Sequence, residues 1–183
     1  MTRSFRSNAE ISTLDQPTAA TTEPLRRQIL AYLETHNTMT IASCHKDIPW
    51  AAAVFYASDE FDLYFFSNPR SRHGMNMATN NRVSAAIHED YRDWREIRGI
   101  QLEGRAERLR SPKLLRHGWE IYRKKFPFVD EFFRSGALFE TVQTKLAGIR
   151  MYQVVPEALW YLDNSLGFGH RELLPLTSID TNR

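Results

Sequence analysis

Helical periodicity and strand-like alternation succeed one another along this chain, and the switches between them mark its elements. Leu25, Ile29, Tyr32, Leu33 and His36 recur at helical spacing, so a helix is predicted from Thr22, ahead of Glu23-Pro24, to Asn37. Short apolar runs follow, each ended by turn-forming residues: Met39 to Ser43 before His45-Lys46-Asp47, Pro49 to Tyr56 before Ser58-Asp59-Glu60, then Phe61 to Phe66. Two successive meander turns predict a small sheet closing on itself. A short helix over Ser71 to Asn80, a fourth strand from Arg82 to His88 and a long fifth strand from Ile97 to Leu109 come next. In the fifth, Ile100, Leu102, Gly104 and Ala106 share one face, and Gln101, Glu103, Arg105 and Glu107 the other. Arg98 falls on the apolar side, where a charge needs a reason.

Ser111-Pro112 opens a helix with an N-cap residue and Pro at the first position, and Leu115, Trp119, Tyr122 and Phe126 form its core-facing stripe before Pro127. Residues 128–148 read as a helical excursion. Ile149 to Val155 and Ala158 to Leu162 read as two last strands around Pro156, Asp163 to His170 as a loop, and the remainder as a short tail. The whole is mainly β with flanking helices: a disordered arm over 1–21, one domain over 22–175, and a tail over 176–183.

Composition narrows the function. An apolar share of 42% is that of a globular chain, and a net charge of +2 gives no reason to expect a nucleic-acid surface. The single cysteine, Cys44, excludes an intrachain disulfide and a multi-cysteine metal site, and suits a reducing cytoplasm. No run is long enough to span a membrane, and the first residues lack the apolar stretch of a secretory signal. Neither a Gly-x-Gly-x-x-Gly nor a Gly-Lys-Ser/Thr phosphate loop is present, the histidines lack metal-binding spacing, and no Gly-x-Ser-x-Gly elbow occurs.

What remains converges on a planar, phosphorylated ligand. The aromatic strand ending at Phe66 runs into Ser67-Asn68-Pro69-Arg70-Ser71-Arg72-His73, where hydroxyls, the free N–H groups opening a helix and an Arg fork suit a phosphate; an ordinary strand-to-helix turn is the alternative. Ala51-Ala52-Ala53 is an unusual run for a strand, explained either by a flat ring lying against the backbone or by tight packing on a neighbouring element.

Phe65-Phe66-Ser67-Asn68-x-x-Ser71-Arg72-His73 is similar to the aromatic-Tyr-Thr-Asn-x-x-Ser-Arg-Lys stretch of the pyridoxamine 5'-phosphate oxidase-like flavoproteins. Asn80-Asn81-Arg82-Val83 resembles their next strand opening, and the segment from Arg98 to Glu107 resembles their fifth strand with its Gly-x-Ala-Glu ending. The resemblance implies an FMN-binding split β-barrel that works as a homodimer with a flavin in each of two clefts between the subunits. By position, Ala51, Ala52, Ala53, Val54, Phe55 and Tyr56 would lie along the isoalloxazine and ribityl chain. Phe66 and Ser67 would flank the phosphate, Ser71 would support the cradle, and Arg72 and His73 would bind the phosphate. Gly99, Gln101 and Trp160 of the partner would close the cleft, with Arg98 reaching the same pocket. Trp50, Trp94 and Phe168, at strand ends and loops, would be covered by a partner or by the chain's own helices.

Two departures qualify the resemblance. His73 stands where Lys is usual, so phosphate affinity should fall as pH rises through the histidine pKa. The carboxy-terminal Arg-x-His-Asp-Arg-type substrate motif is replaced by Leu166-Gly167-Phe168-Gly169-His170-Arg171, so vitamin B6 activity does not transfer. The implied function is an FMN-dependent oxidoreductase acting on a small molecule. Its rivals are a flavin-, deazaflavin- or haem-binding carrier or sensor, and an interaction module with a vestigial pocket. No side chain is singled out as catalytic. Arg98 would stabilise an anionic reduced flavin or form a strand-end ion pair, and His170 would lie over the ring or in an exposed tail.

Overall fold

The structure is a computed structural model that describes residues 19–130 and 148–176. Most of the expected arm, the expected excursion between 131 and 147, and the tail from 177 onward lie outside the described residues.

Helix α1 (Ala19–Thr35) begins three residues ahead of the expected start and carries Pro24 inside it. Strands β1 (Thr38–His45) and β2 (Ile48–Asp59) form a hairpin whose two turn residues, Lys46 and Asp47, both have positive φ, at 50° and 60°. Such a turn matches the twist of the strands it joins. Strand β3 (Asp62–Ser67), helix α2 (Arg72–Thr79), strand β4 (Arg82–His88), strand β5 (Arg98–Arg108) and helix α3 (Pro112–Lys125) follow.

Beyond α3 the structure corrects the sequence reading. Strand β6 runs unbroken from Arg150 to Asp163 through Pro156, and the expected tail opens with strand β7 (Arg171–Leu174). Pro156 lacks an N–H to give to the ladder, and a β-bulge accommodates it. Glu103 pairs with Ala158 and Gly104 with Pro156, which leaves Glu157 as the extra residue. Gly104 is the counterpart of that bulge, since a Cβ there would stand 2.2 Å from the Val155 carbonyl oxygen.

All the ladders are antiparallel, in the order β3-β2-β1-β4-β5-β6, and β6 pairs again with β3 to close a six-stranded barrel. Strand β7 adds to β6 farther along, opposite residues 159–162, on the edge that β3 occupies earlier. Inside, Met39, Ile41, Leu63, Phe65, Ile87, Ile100, Val154 and Leu159 are almost fully enclosed. Helix α1 adds Leu25, Ile29 and Leu33 to this core and meets it near the start of β1, where the Tyr56 hydroxyl donates to the Leu33 carbonyl (2.9 Å). Helix α2 adds Met77 from the other end, where the Asn76 side-chain amide donates to the Ser43 hydroxyl (3.2 Å). Helix α3 builds a second cluster outside the barrel from Tyr122 and Phe126 on Ala57, Tyr64, Leu109 and Met151.

Candidate functional site

Strand β3 ends at the buried Ser67, and the next residues fold into a tight turn. The Arg70 N–H donates to the Asn68 side chain (2.9 Å), the Ser71 N–H donates to the Asn68 carbonyl (2.9 Å), and the Ser71 hydroxyl accepts from the Gly74 N–H (3.1 Å) as the N-cap of α2. Because Gly74 has no Cβ, the helix can rest on this turn; one would stand 2.5 Å from the Asn68 carbonyl oxygen. His73 Nε2 lies 2.5 Å from Ser67 Oγ and 3.2 Å from Ser71 Oγ, and the two hydroxyls are 3.3 Å apart. Burial lowers the His73 pKa from its ordinary value, because desolvation disfavours the charged imidazolium. The N–H groups of Arg72 and His73, opening the helix, have no hydrogen-bond partner among the described residues.

Arg72 crosses to β2, where its guanidinium carbon lies 4.4 Å from the centroid of the Trp50 ring. This contact, between residues 22 apart in sequence, joins the phosphate-type turn to the alanine strand. Trp50 is 39% exposed. Sequence reasoning marked it only as an apolar group needing cover, and no spacing signal ties it to Arg72.

The three alanines do not act together. Ala52 and Val54 face inward and pack on the core, while Ala51, Ala53 and Phe55 are exposed on the outer side. Packing therefore accounts for Ala52, and an open face accounts for Ala51 and Ala53. Across that face Ala53 pairs with Thr40, Thr40 with Ala86, Ala86 with Gln101, and Gln101 with Trp160. Every residue of this row is exposed or half-buried. Beside it, Ala42, Pro49, Ser84 and Glu103 line a cleft of about 430 Å³, at whose edge Glu157 accepts from both Arg105 (2.7 Å) and Arg82. The hydrogen bond from Arg105, with Arg82 adding to it, holds the Glu157 carboxyl below the usual carboxylate range.

Other expected site residues take structural positions. Tyr56 is fully enclosed, backbone and side chain alike, and its pKa rises through burial. Phe66 packs edge-on against Tyr122, at 4.8 Å, and Trp119, at 6.0 Å. Arg98 forms the strand-end ion pair: its Nε lies 3.2 Å from Asp163 Oδ2. Burial pushes the Asp163 carboxyl up, but hydrogen bonds from Ser165 and the charge of Arg98 more than offset this and lower its pKa. Gly99 is buried, and a Cβ there would lie 2.8 Å from the Ile87 carbonyl oxygen. The His170 imidazole sits 3.2 Å from Glu172, and no group of three His, Cys, Asp or Glu side chains among the described residues could hold a metal ion. No described helix is long and apolar enough to cross a membrane.

The family model for pyridoxamine 5'-phosphate oxidase matches residues 25–154 of this chain. A UPF0306 protein of Photorhabdus laumondii is 27% identical over 142 residues, covering 76% of this chain and 88% of the relative. A haem-binding protein from Mycobacterium smegmatis shares the fold with a TM-score of 0.62 at 18% identity, over 92% of this chain and 61% of that one. HutZ, a haem storage protein from Vibrio cholerae, shares it with a TM-score of 0.58 at 15% identity, over 74% and 90%.

Proposed function

The chain belongs to the pyridoxamine 5'-phosphate oxidase family, and from that premise we propose that it is a homodimeric flavoprotein that binds FMN between its subunits and acts as an FMN-dependent oxidoreductase on a small molecule. One observation carries this reading: the turn that opens α2 offers two hydroxyls, an imidazole and two N–H groups without a partner among the described residues, beside the Arg72–Trp50 contact at the edge of β2. That is the donor set a phosphate monoester needs, placed where the rest of a mononucleotide can run along a strand with small outward side chains.

Ser67, Ser71, Arg72 and His73 would hold the phosphate, and the β2 backbone from Ala51 to Tyr56 would follow the ribityl chain and ring. Phe66 would contribute its main chain, since its ring is committed to α3. Bound FMN supplies hydride and electron transfer, and the protein supplies position and electrostatics. The open row of Thr40, Ala53, Ala86, Gln101 and Trp160 suits a second copy of the chain, which would bring its own Gly99, Gln101 and Trp160 to the ring. Arg98 would act within its ion pair with Asp163, as a neutralised dipole more than as a free cation.

The direct test compares FMN with riboflavin by quenching of flavin fluorescence. A phosphate anchor gives FMN at least a tenfold advantage; equal affinities would remove it.

A haem-binding carrier is the second reading, and His88 favours it. Its Nδ1 lies 3.1 Å from the Glu89 carbonyl, which can only accept and so keeps the proton on Nδ1, and Nε2 on the exposed outer face has no hydrogen-bond partner among the described residues. A Soret band in the purified protein, lost in His88→Ala, would favour this reading over the flavin.

A further inference from the structure

Trp94 and Phe168 are 45% and 85% exposed, yet the loops that carry them are closely tied. The two rings meet edge to face with centroids 5.5 Å apart. Asn164 joins their backbones: its side-chain amide donates to the Trp94 carbonyl (2.8 Å), its side-chain oxygen accepts from the Gly169 N–H (2.9 Å), and its own N–H donates to the Ile97 carbonyl (3.0 Å). Asp163 adds a second brace, accepting from the Ser165 N–H (2.9 Å), the Ser165 hydroxyl (2.6 Å) and Arg98. Gly167 and Gly169 have positive φ, at 141° and 72°, which lets the chain double back between them and point Phe168 outward. A loop ordered by this many hydrogen bonds has already lost the freedom that ligand binding would otherwise remove. Leu166, 64% exposed, enlarges the apolar patch.

The charges beside this patch cancel. Arg92 to Arg98 and Asp163 to Glu172 together carry four carboxylates, four guanidiniums and one histidine. Arg95 is paired with Asp93 (3.0 Å), Arg98 with Asp163 (3.2 Å) and His170 with Glu172 (3.2 Å), and Arg171 donates to Gln101 (3.3 Å). No surplus of positive charge is available for a phosphate or carboxylate. The patch also adjoins the open face through Arg171, three residues beyond Phe168, whose guanidinium donates to Gln101 on that face.

We infer that Trp94 and Phe168 form the reactant-facing wall of the flavin cleft, and that they select an uncharged, planar, apolar ring over a phosphorylated one. The inference rests on the flavin reading above, because that reading brings Gln101 and Trp160 of one subunit to the flavin of the other. Rings of this class dock by stacking and edge contacts, which an aromatic pair supplies without a countercharge.

The test uses the full-length protein loaded with FMN and equilibrium dialysis against menadione, an uncharged bicyclic quinone, and against pyridoxal 5'-phosphate, an anionic ring. The wall requires menadione to bind more tightly than pyridoxal 5'-phosphate, and Phe168→Ala and Trp94→Ala each to weaken menadione about tenfold. Phe168 is exposed, so its alanine variant keeps the fold, which a melting curve verifies. Tighter binding of the phosphate, or menadione binding that neither variant changes, overturns the inference and leaves the flavin reading standing. Failure of the wild-type protein to take up FMN, read separately by flavin fluorescence, overturns both.

Discussion

Raising the pH from about 6.5 to about 8.5 should weaken FMN binding through one side chain, His73. In the free protein its imidazole is half-buried and hydrogen-bonded to Ser67 and Ser71, and burial lowers its pKa from the ordinary value. The other charged groups near this turn are Arg70 within it, Arg72 on the same helix and Arg150, which pairs with Ser67 across the β3–β6 ladder. An anion within hydrogen-bonding reach raises a histidine pKa by about one to three units. Binding therefore takes up a proton wherever the pH lies between the lowered free value and the raised bound one. One unit of that swing corresponds to about 1.4 kcal/mol, or tenfold in affinity. The phosphate's own second ionisation, near pH 6, sets the lower edge of the useful range. Without ligand the sign reverses. The unfolded chain takes up the proton more readily than the folded one, so stability is full above about pH 6.5 and declines as the pH falls through the lowered value. Fluorescence titrations at the two pH values, with riboflavin and His73→Lys as controls, separate the contributions. FMN should lose about tenfold in wild type, while riboflavin and the lysine variant should stay flat. A pH-independent FMN affinity in wild type, or an equal slope in His73→Lys, would refute the reasoning.

Gly104→Ala should destabilise the protein by on the order of 1–3 kcal/mol, because its Cβ would meet the Val155 carbonyl backbone at 2.2 Å; thermal melting would show a drop of about 2–4 °C per kcal/mol. Tyr56→Phe removes the donor to the Leu33 carbonyl, but Lys125 also donates there (2.9 Å), so the urea midpoint should move by only about 0.5 kcal/mol in stability. Ala86→Glu puts a charge in the middle of the open face; sedimentation should shift from dimer to monomer with the circular dichroism unchanged, and an unaltered dimer would place the interface elsewhere.

The strands of the barrel were legible wherever one face is buried and the other wet. The alternation from Ile100 to Glu107 gives the observed inward and outward sides of β5. The turn at Lys46-Asp47 and the cap at Ser71 carry local chemistry that a sequence displays directly. Pro156 misled because a bulge makes room for a proline, and the residue that allows it, Gly104, lies on another strand. The segment 171–174 read as tail because Arg171 and Glu172 disguise an edge strand that buries only Leu174. In the candidate site, the cluster of Ser67, Ser71 and His73 follows from spacing along one turn. Its connection to Trp50 does not, since that depends on how α2 seats against β2. The alanine run was read as one feature, although a strand necessarily sends its middle member to the opposite face.

The account stands on an anion-binding anchor at the start of α2, to which Arg72 supplies the guanidinium. Titration of FMN against wild-type protein and Arg72→Ala, side by side at neutral pH, measures that anchor. Loss of the charge-assisted contact should cost on the order of 1.5–3 kcal/mol, and thus weaken binding at least tenfold. Equal affinity in the two proteins would contradict the account.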